Sequence, residues 1–121
     1  MAFDLQDLSD DPFCYVTTVG RRSGQPHEIE LWFAVHNGVL FLLAGGGDRS
    51  DWVRNLRADP RVEVRVGDKS FPAVAEVIAQ GGDSDVARKL LATKYQGWRE
   101  GTPLSDWARS ALLVALRPGS P

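Results

Sequence analysis

Apolar and polar positions alternate along much of this chain, and the period of the alternation marks its elements. Phe13 to Thr18 is rich in β-branched and aromatic residues and reads as a strand. Gly20, Gly24 and Pro26 end it and shape a loop. Ile29, Leu31, Phe33 and Val35 then alternate with Glu28, Glu30, Trp32 and Ala34, the period-two signature of a half-buried strand. Asn37-Gly38 predicts a type I′ hairpin, because both central positions must reach positive φ. Val39 to Ala44 is continuously apolar and reads as a strand covered on both faces. Gly45, Gly46 and Gly47 free the backbone.

The period changes at Asp48, Ser50 and Asp51, which suit a helix start. Trp52, Val53 and Leu56 give that helix an apolar stripe, and Pro60 ends it after Asp59. Arg61 to Val66 alternates again, Gly67-Asp68 turns the chain, and Phe71 to Ala79 reads as a strand in which Pro72 marks an edge or a bulge. Asp83 or Ser84 caps a second helix, with Val86, Leu90 and Leu91 as its buried side and Tyr95 near its end. A loop from Gly97 to Asp106, with a short helical turn between Pro103 and Arg109, leads to a last strand at Ala111 to Leu116. Six strands joined by short turns favour antiparallel pairing. Closing them into a small barrel removes the open edges.

Composition narrows the function. The chain has 121 residues, 43% of them hydrophobic, which suits one domain over residues 1–121 with a single core. A formal net charge of −2 gives no basic field for nucleic acid. The single cysteine, Cys14, lies in an apolar strand and reads as a buried, inert thiol. No apolar run is long enough to span a bilayer, and the acidic N-terminus lacks a signal-peptide pattern, so the cytoplasm is the expected location. His27 and His36 have no ligand spacing, so no metal site is expected. No nucleophile elbow, Walker loop or acid–base constellation is present, and no catalytic side chain is assigned.

What remains is the loop "VGRRSGQPH". A turn needs glycine and proline; it does not need two adjacent guanidinium groups. Arg21, Arg22, the Ser23 hydroxyl and the loop amides suit a phosphate or carboxylate, which a planar guanidinium meets with two parallel bonds. The triglycine stretch admits a flat ligand close to the backbone, and the helix start near Asp51 points amides at the same region. On spacing alone, an anionic ligand with a flat portion and an ordinary polar turn stand about even.

"TTVGRRSGQPHEIELWF", "AGGG" and "DWVRNLRADPRVEVRVG" together resemble the deazaflavin-dependent nitroreductase family, within the FMN-binding split-barrel superfamily that includes the pyridoxamine 5′-phosphate oxidase-like proteins. The resemblance covers Phe13 to Gly67 closely and Val86 to Pro118 more loosely. It implies a mainly β (α+β) fold: a six-stranded antiparallel split β-barrel with two or three short helices. It also implies binding of coenzyme F420, an 8-hydroxy-5-deazaflavin with a phosphate and a polyglutamate tail. By that resemblance Arg21, Arg22, Ser23, Gly24, Gln25, Pro26 and His27 hold the phosphate-bearing part. Leu43, Ala44, Gly45 and Gly46 lie beside the ring, and Asp51, Trp52, Asn55 and Leu56 belong to the helix that closes the site. Tyr95 and Trp98 fall near the substrate, with core packing as their other reading. The implied activity is that of an oxidoreductase passing a hydride from the reduced deazaflavin to a small electron acceptor: a quinone, a nitroaromatic or an enone. The alternatives are an FMN-binding oxidoreductase of the same fold and a non-catalytic carrier of a flavin or fatty acid. A homodimer is expected, because a strand as apolar as Val39 to Leu43 needs cover on both faces.

Overall fold

A computed structural model of the chain describes residues 3–79 and 84–119. After a 3₁₀ turn at Leu5–Leu8 come β1 (Cys14–Val19), β2 (Pro26–Leu31), β3 (Ala34–His36) and β4 (Val39–Ala44). Helix α1 (Asp51–Ala58), β5 (Arg61–Val66), β6 (Lys69–Ile78), α2 (Ser84–Gln96), α3 (Asp106–Ser110) and β7 (Leu112–Pro118) follow. All seven strands form one antiparallel sheet in the order β2-β1-β5-β6-β7-β4-β3. The β3–β4 turn has Asn37 at φ 51° and Gly38 at φ 74°, as the hairpin pattern requires. Asp83, one of the two caps expected from the sequence, lies outside the described residues, and α2 begins at Ser84.

β2 and β3 are separated by only Trp32 and Phe33, yet they sit at opposite ends of the sheet. The sheet therefore curls until its ends meet. It stays open along a seam, because among the described residues β2 pairs only with β1, and Leu42 to Ala44 of β4 pair only with β7. That is a split barrel. The expected six strands become seven because the segment from Ile29 to Val35 changes partner part-way along. Its alternation runs on unbroken, but its backbone leaves the β1 ladder at Leu31 and joins the β4 ladder at Ala34.

Backbone groups released at such a break need new partners, and the end of α2 supplies them. The Phe33 N–H donates to the Tyr95 hydroxyl at 2.9 Å. The Phe33 carbonyl accepts from Lys94 Nζ at 3.1 Å. The Tyr95 hydroxyl lies 2.8 Å from the Pro12 carbonyl and 3.1 Å from that of Phe33, both as acceptors. The Trp32 ring stacks on Tyr95 with centroids 4.5 Å apart and planes 2° apart. Burial pushes the Tyr95 phenol up to about 12, so it acts as a neutral hydroxyl. Tyr95→Phe keeps the ring and removes the hydroxyl, leaving the Phe33 N–H without its acceptor. The expected loss is about 1–3 kcal/mol in urea unfolding. A loss below about 0.5 kcal/mol would show that water replaces the hydroxyl at no cost.

Inside the barrel, Val16, Phe33, Leu40, Leu42, Val64 and Leu116 are fully buried, and α1 closes one end with Trp52, Val53 and Leu56. The second face of β4 is covered by α2: Phe41 and Leu43 join Ala87, Leu91, Leu113 and Ala115. Both-face cover of β4 thus comes from within the chain. The expected buried side of α2 needs correction. Leu91 is buried, but Val86 and Leu90 are exposed, at 41% and 36%. The helix seats through Ser84, Ala87, Leu91 and Ala92. Small residues let its axis lie close to the sheet, where Val86 and Leu90 would hold it off.

Pro72 sits where the β7 ladder ends, at Ala73, and its carbonyl accepts from the Gly119 N–H at 2.9 Å. Its missing donor therefore costs no ladder bond. Cys14 is fully buried, and that burial pushes its thiol up to about 12 against the opposing influence of Lys94. An inert thiol is the result. Among the described residues no helix is long and apolar enough to cross a membrane.

Candidate cofactor site

The loop joining β1 to β2 runs from Gly20 to Gln25 and closes on itself. The Gly20 N–H donates to the Gln25 carbonyl, and the Gly24 N–H to the Gly20 carbonyl, both at 2.8 Å. The Gln25 N–H donates to Ser23 Oγ at 3.1 Å. Gly24 holds φ 72°, which explains the glycine there. Gly20 is needed for space: a Cβ on it would lie 2.7 Å from both His27 Nε2 and Ser23 Oγ.

The two arginines have different surroundings. Arg21 donates from its backbone N–H to Asn55 Oδ1 at 3.2 Å and from Nη1 to the same oxygen at 2.8 Å. Its Nη2 donates to Asp51 Oδ1 at 3.2 Å. Asn55 in turn donates from Nδ2 to Thr18 Oγ1 at 3.1 Å. Arg22 is exposed and has no charged or hydrogen-bonding partner among the described residues. The amides of Arg22 and Ser23 likewise have no acceptor there.

Loop, β2 and α1 together enclose a cavity of about 430 Å³, lined by Thr18, Gly20, Arg21, Arg22, Ser23, His27, Glu28, Ile29, Asp51, Trp52 and Asn55. Ile29 and Trp52 give it apolar wall. Asp51 offsets Arg21, and Glu28 faces Arg65 at 3.8 Å, so among the described residues the uncompensated charge at the rim is that of Arg22. Ser50 sits at the N-cap of α1 without bonding the helix through its side chain, so the first-turn amides carry no side-chain cap.

Seven of the residues singled out from the sequence therefore meet at one cavity: Arg21, Arg22, Ser23, His27, Asp51, Trp52 and Asn55. Gly24 and Pro26 line a second cavity of about 380 Å³ on the other side of the loop, beside Thr17, Val19 and Pro72. Gln25 serves the loop's own bonds. Leu43 is buried under α2, while Ala44 and Leu56 belong to the barrel core. Gly45 and Gly46 are exposed in the loop before α1; a Cβ on Gly46 would lie 2.6 Å from Ser50 Oγ. Tyr95 serves the β2–β3 break, and Trp98 donates from Nε1 to the Thr102 carbonyl at 2.9 Å; neither lines the cavity. Thr18, Gly20, Glu28 and Ile29 line it without having been singled out. The inward alternation of Thr18 and Ile29 was the available signal.

A family model for F420H(2)-dependent quinone reductases matches residues 5–102. The chain belongs to the F420H(2)-dependent quinone reductase family. An F420H(2)-dependent quinone reductase of Mycobacterium tuberculosis is 36% identical over 80 residues, which is 64% of this chain and 53% of that protein. The chain thus spans about half the length of the curated relatives it matches. A solved F420-H2 dependent reductase superposes with a TM-score of 0.67 at 27% identity, covering 88% of this chain and 94% of that one. A structure described as a domain-swapped dimer superposes with a TM-score of 0.68 at 28% identity, covering 88% and 80%.

Proposed function

We propose that this protein is an oxidoreductase that uses coenzyme F420 to reduce a quinone-type acceptor. The observation that carries this reading is the cavity between the 20–25 loop and α1. Among the described residues its rim offers one uncompensated guanidinium and two open amides, and its wall is apolar. That donor set fits a phosphate or carboxylate, and the wall of Ile29 and Trp52 fits a flat ring. Family membership and the named relatives support the same cofactor and the same acceptor class.

When bound, the reduced deazaflavin supplies a hydride. The chain's residues then have three tasks. Arg22, with the Arg22 and Ser23 amides, holds the anionic portion. Trp52 and Ile29 orient the ring and keep water from it. The open mouth of the cavity gives an acceptor access to the ring. No side chain needs to relay a proton for hydride transfer itself, in keeping with a site whose hard chemistry belongs to the cofactor.

Parallel titrations with F420 and FMN, followed by turnover with a benzoquinone, test the reading. F420 should bind more tightly than FMN and its reduced form should be oxidised by the quinone. Tighter FMN binding would replace the cofactor assignment. F420 binding without turnover would make the protein a carrier.

Assembly belongs to the same proposal. The domain-swapped relative and the prevalence of two-fold contacts support a homodimer. Light scattering should give twice the mass of the chain, and a monomer across micromolar concentrations would end that part.

A further inference from the structure

Two neighbouring arginines in one loop meet different environments, and the difference assigns them different work. We propose that Arg21 and Asn55 are positioning residues: they lock the 20–25 loop to α1 and leave Arg22 as the loop's cation open to an anion. The proposal rests on the reading of the cavity as an anion and ring site.

The geometry is that of a clasp. Asn55 is 5% exposed, and its amide is engaged at both ends. Oδ1 accepts from the backbone and the side chain of Arg21, and Nδ2 donates to Thr18 at the end of β1. Asp51 stands one helical turn before Asn55, so the Arg21 fork spans two rungs of the same face of α1. The loop's other bonds are internal to it. The loop's own bonds shape the turn, and this clasp therefore sets where the next two residues, Arg22 and Ser23, present their open amides relative to α1. Arg21 also brings little net charge to a ligand, because Asp51 already neutralises it.

Asp51 provides a test by sign. Its carboxylate lines the same cavity. As a bare charge it repels an anion, and its loss would tighten binding or free Arg21 to become a ligand. As an anchor for Arg21, its loss weakens binding.

The experiment titrates F420, followed by its own fluorescence, into wild type, Arg21→Ala, Asn55→Ala, the double variant and Asp51→Ala across a salt series. Arg21→Ala and Asn55→Ala should each weaken binding by about ten-fold, and the double variant by no more than about two-fold beyond the worse single, since one clasp is broken in each. The salt dependence of these variants should stay that of wild type, because the anion's own cation, Arg22, is untouched. Asp51→Ala should weaken binding by about three-fold. Multiplying losses, a flattened salt dependence in Arg21→Ala, or unchanged or tighter binding by Asp51→Ala would each overturn the proposal. Amide exchange without ligand gives a second reading, indifferent to whether Asn55→Ala is less stable as a whole. Arg21→Ala should speed exchange in both the 20–25 loop and the first turns of α1, relative to β4, and no change there would also overturn the clasp. If wild type binds no F420, the functional reading fails, and the clasp stands or falls on exchange alone.

Discussion

Replacing Arg22 with alanine should weaken F420 binding by about ten-fold to a hundred-fold. A charge-assisted hydrogen bond to a phosphate contributes about 1.5–3 kcal/mol, and about 1.4 kcal/mol is a factor of ten in affinity. Arg22 is the cation to which this applies, since its neighbour's guanidinium is bonded to Asp51 and Asn55 while its own meets no acceptor among the described residues. Arg22→Lys should recover only part of the loss, because a point charge cannot reproduce a two-pronged contact. Turnover at saturating cofactor should change little, because Arg22 stands at the rim and not against the apolar wall formed by Ile29 and Trp52. Added salt should weaken the wild type more than Arg22→Ala. If Arg22→Ala binds F420 as tightly as wild type at low salt, the loop is an ordinary polar turn.

The contrast between these two arginines marks where sequence reasoning reaches its limit. Val39–Ala44 and Arg61–Val66 were legible to the residue, because turn glycines, a turn asparagine and a proline bound them and their apolar patterns are clean. The helix from Asp51 was legible from its stripe and Pro60; Ser50 stands at the N-cap position, but its side chain makes no cap bond. The β2–β3 break was not. Alternation reports which face a residue takes, and Ile29, Leu31, Phe33 and Val35 keep the same face while the backbone changes neighbours. The seat of α2 escaped for a related reason: Ala87 and Ala92 carry little hydrophobic weight, yet they allow the closest approach. Arg21 and Arg22 are chemically identical and adjacent. What separates them is Asp51 and Asn55, some thirty residues further along, and only the folded chain brings those to Arg21. Tyr95 and Trp98, read as aromatics near a substrate or in packing, take up backbone carbonyls and the β2–β3 break instead of the cavity.

Trp52 belongs to both the core and the site, and its replacement should have the largest effect on stability. It is 8% exposed and packs with the barrel interior beside Val53 and Leu56, while also lining the cavity. Trp52→Ala should cost about 3–5 kcal/mol, because the transfer energy of the indole is lost and the space it leaves can only partly collapse. Urea unfolding measures this directly; a cost below about 1 kcal/mol would mean the indole is a surface lid and not the plug of the barrel. Trp52→Phe keeps an aromatic in the core and should remain folded, which allows the second role to be read separately. Trp32, Trp98 and Trp107 do not line the cavity. Quenching of tryptophan emission by bound F420 should therefore come mainly from Trp52 and should fall by more than half in Trp52→Phe, about the share expected if the nearest of four emitters is removed. If the variant binds F420 with wild-type affinity and its quenching is unchanged, the ring does not lie against Trp52, and the wall that orients it must be sought along the seam between β2 and β4.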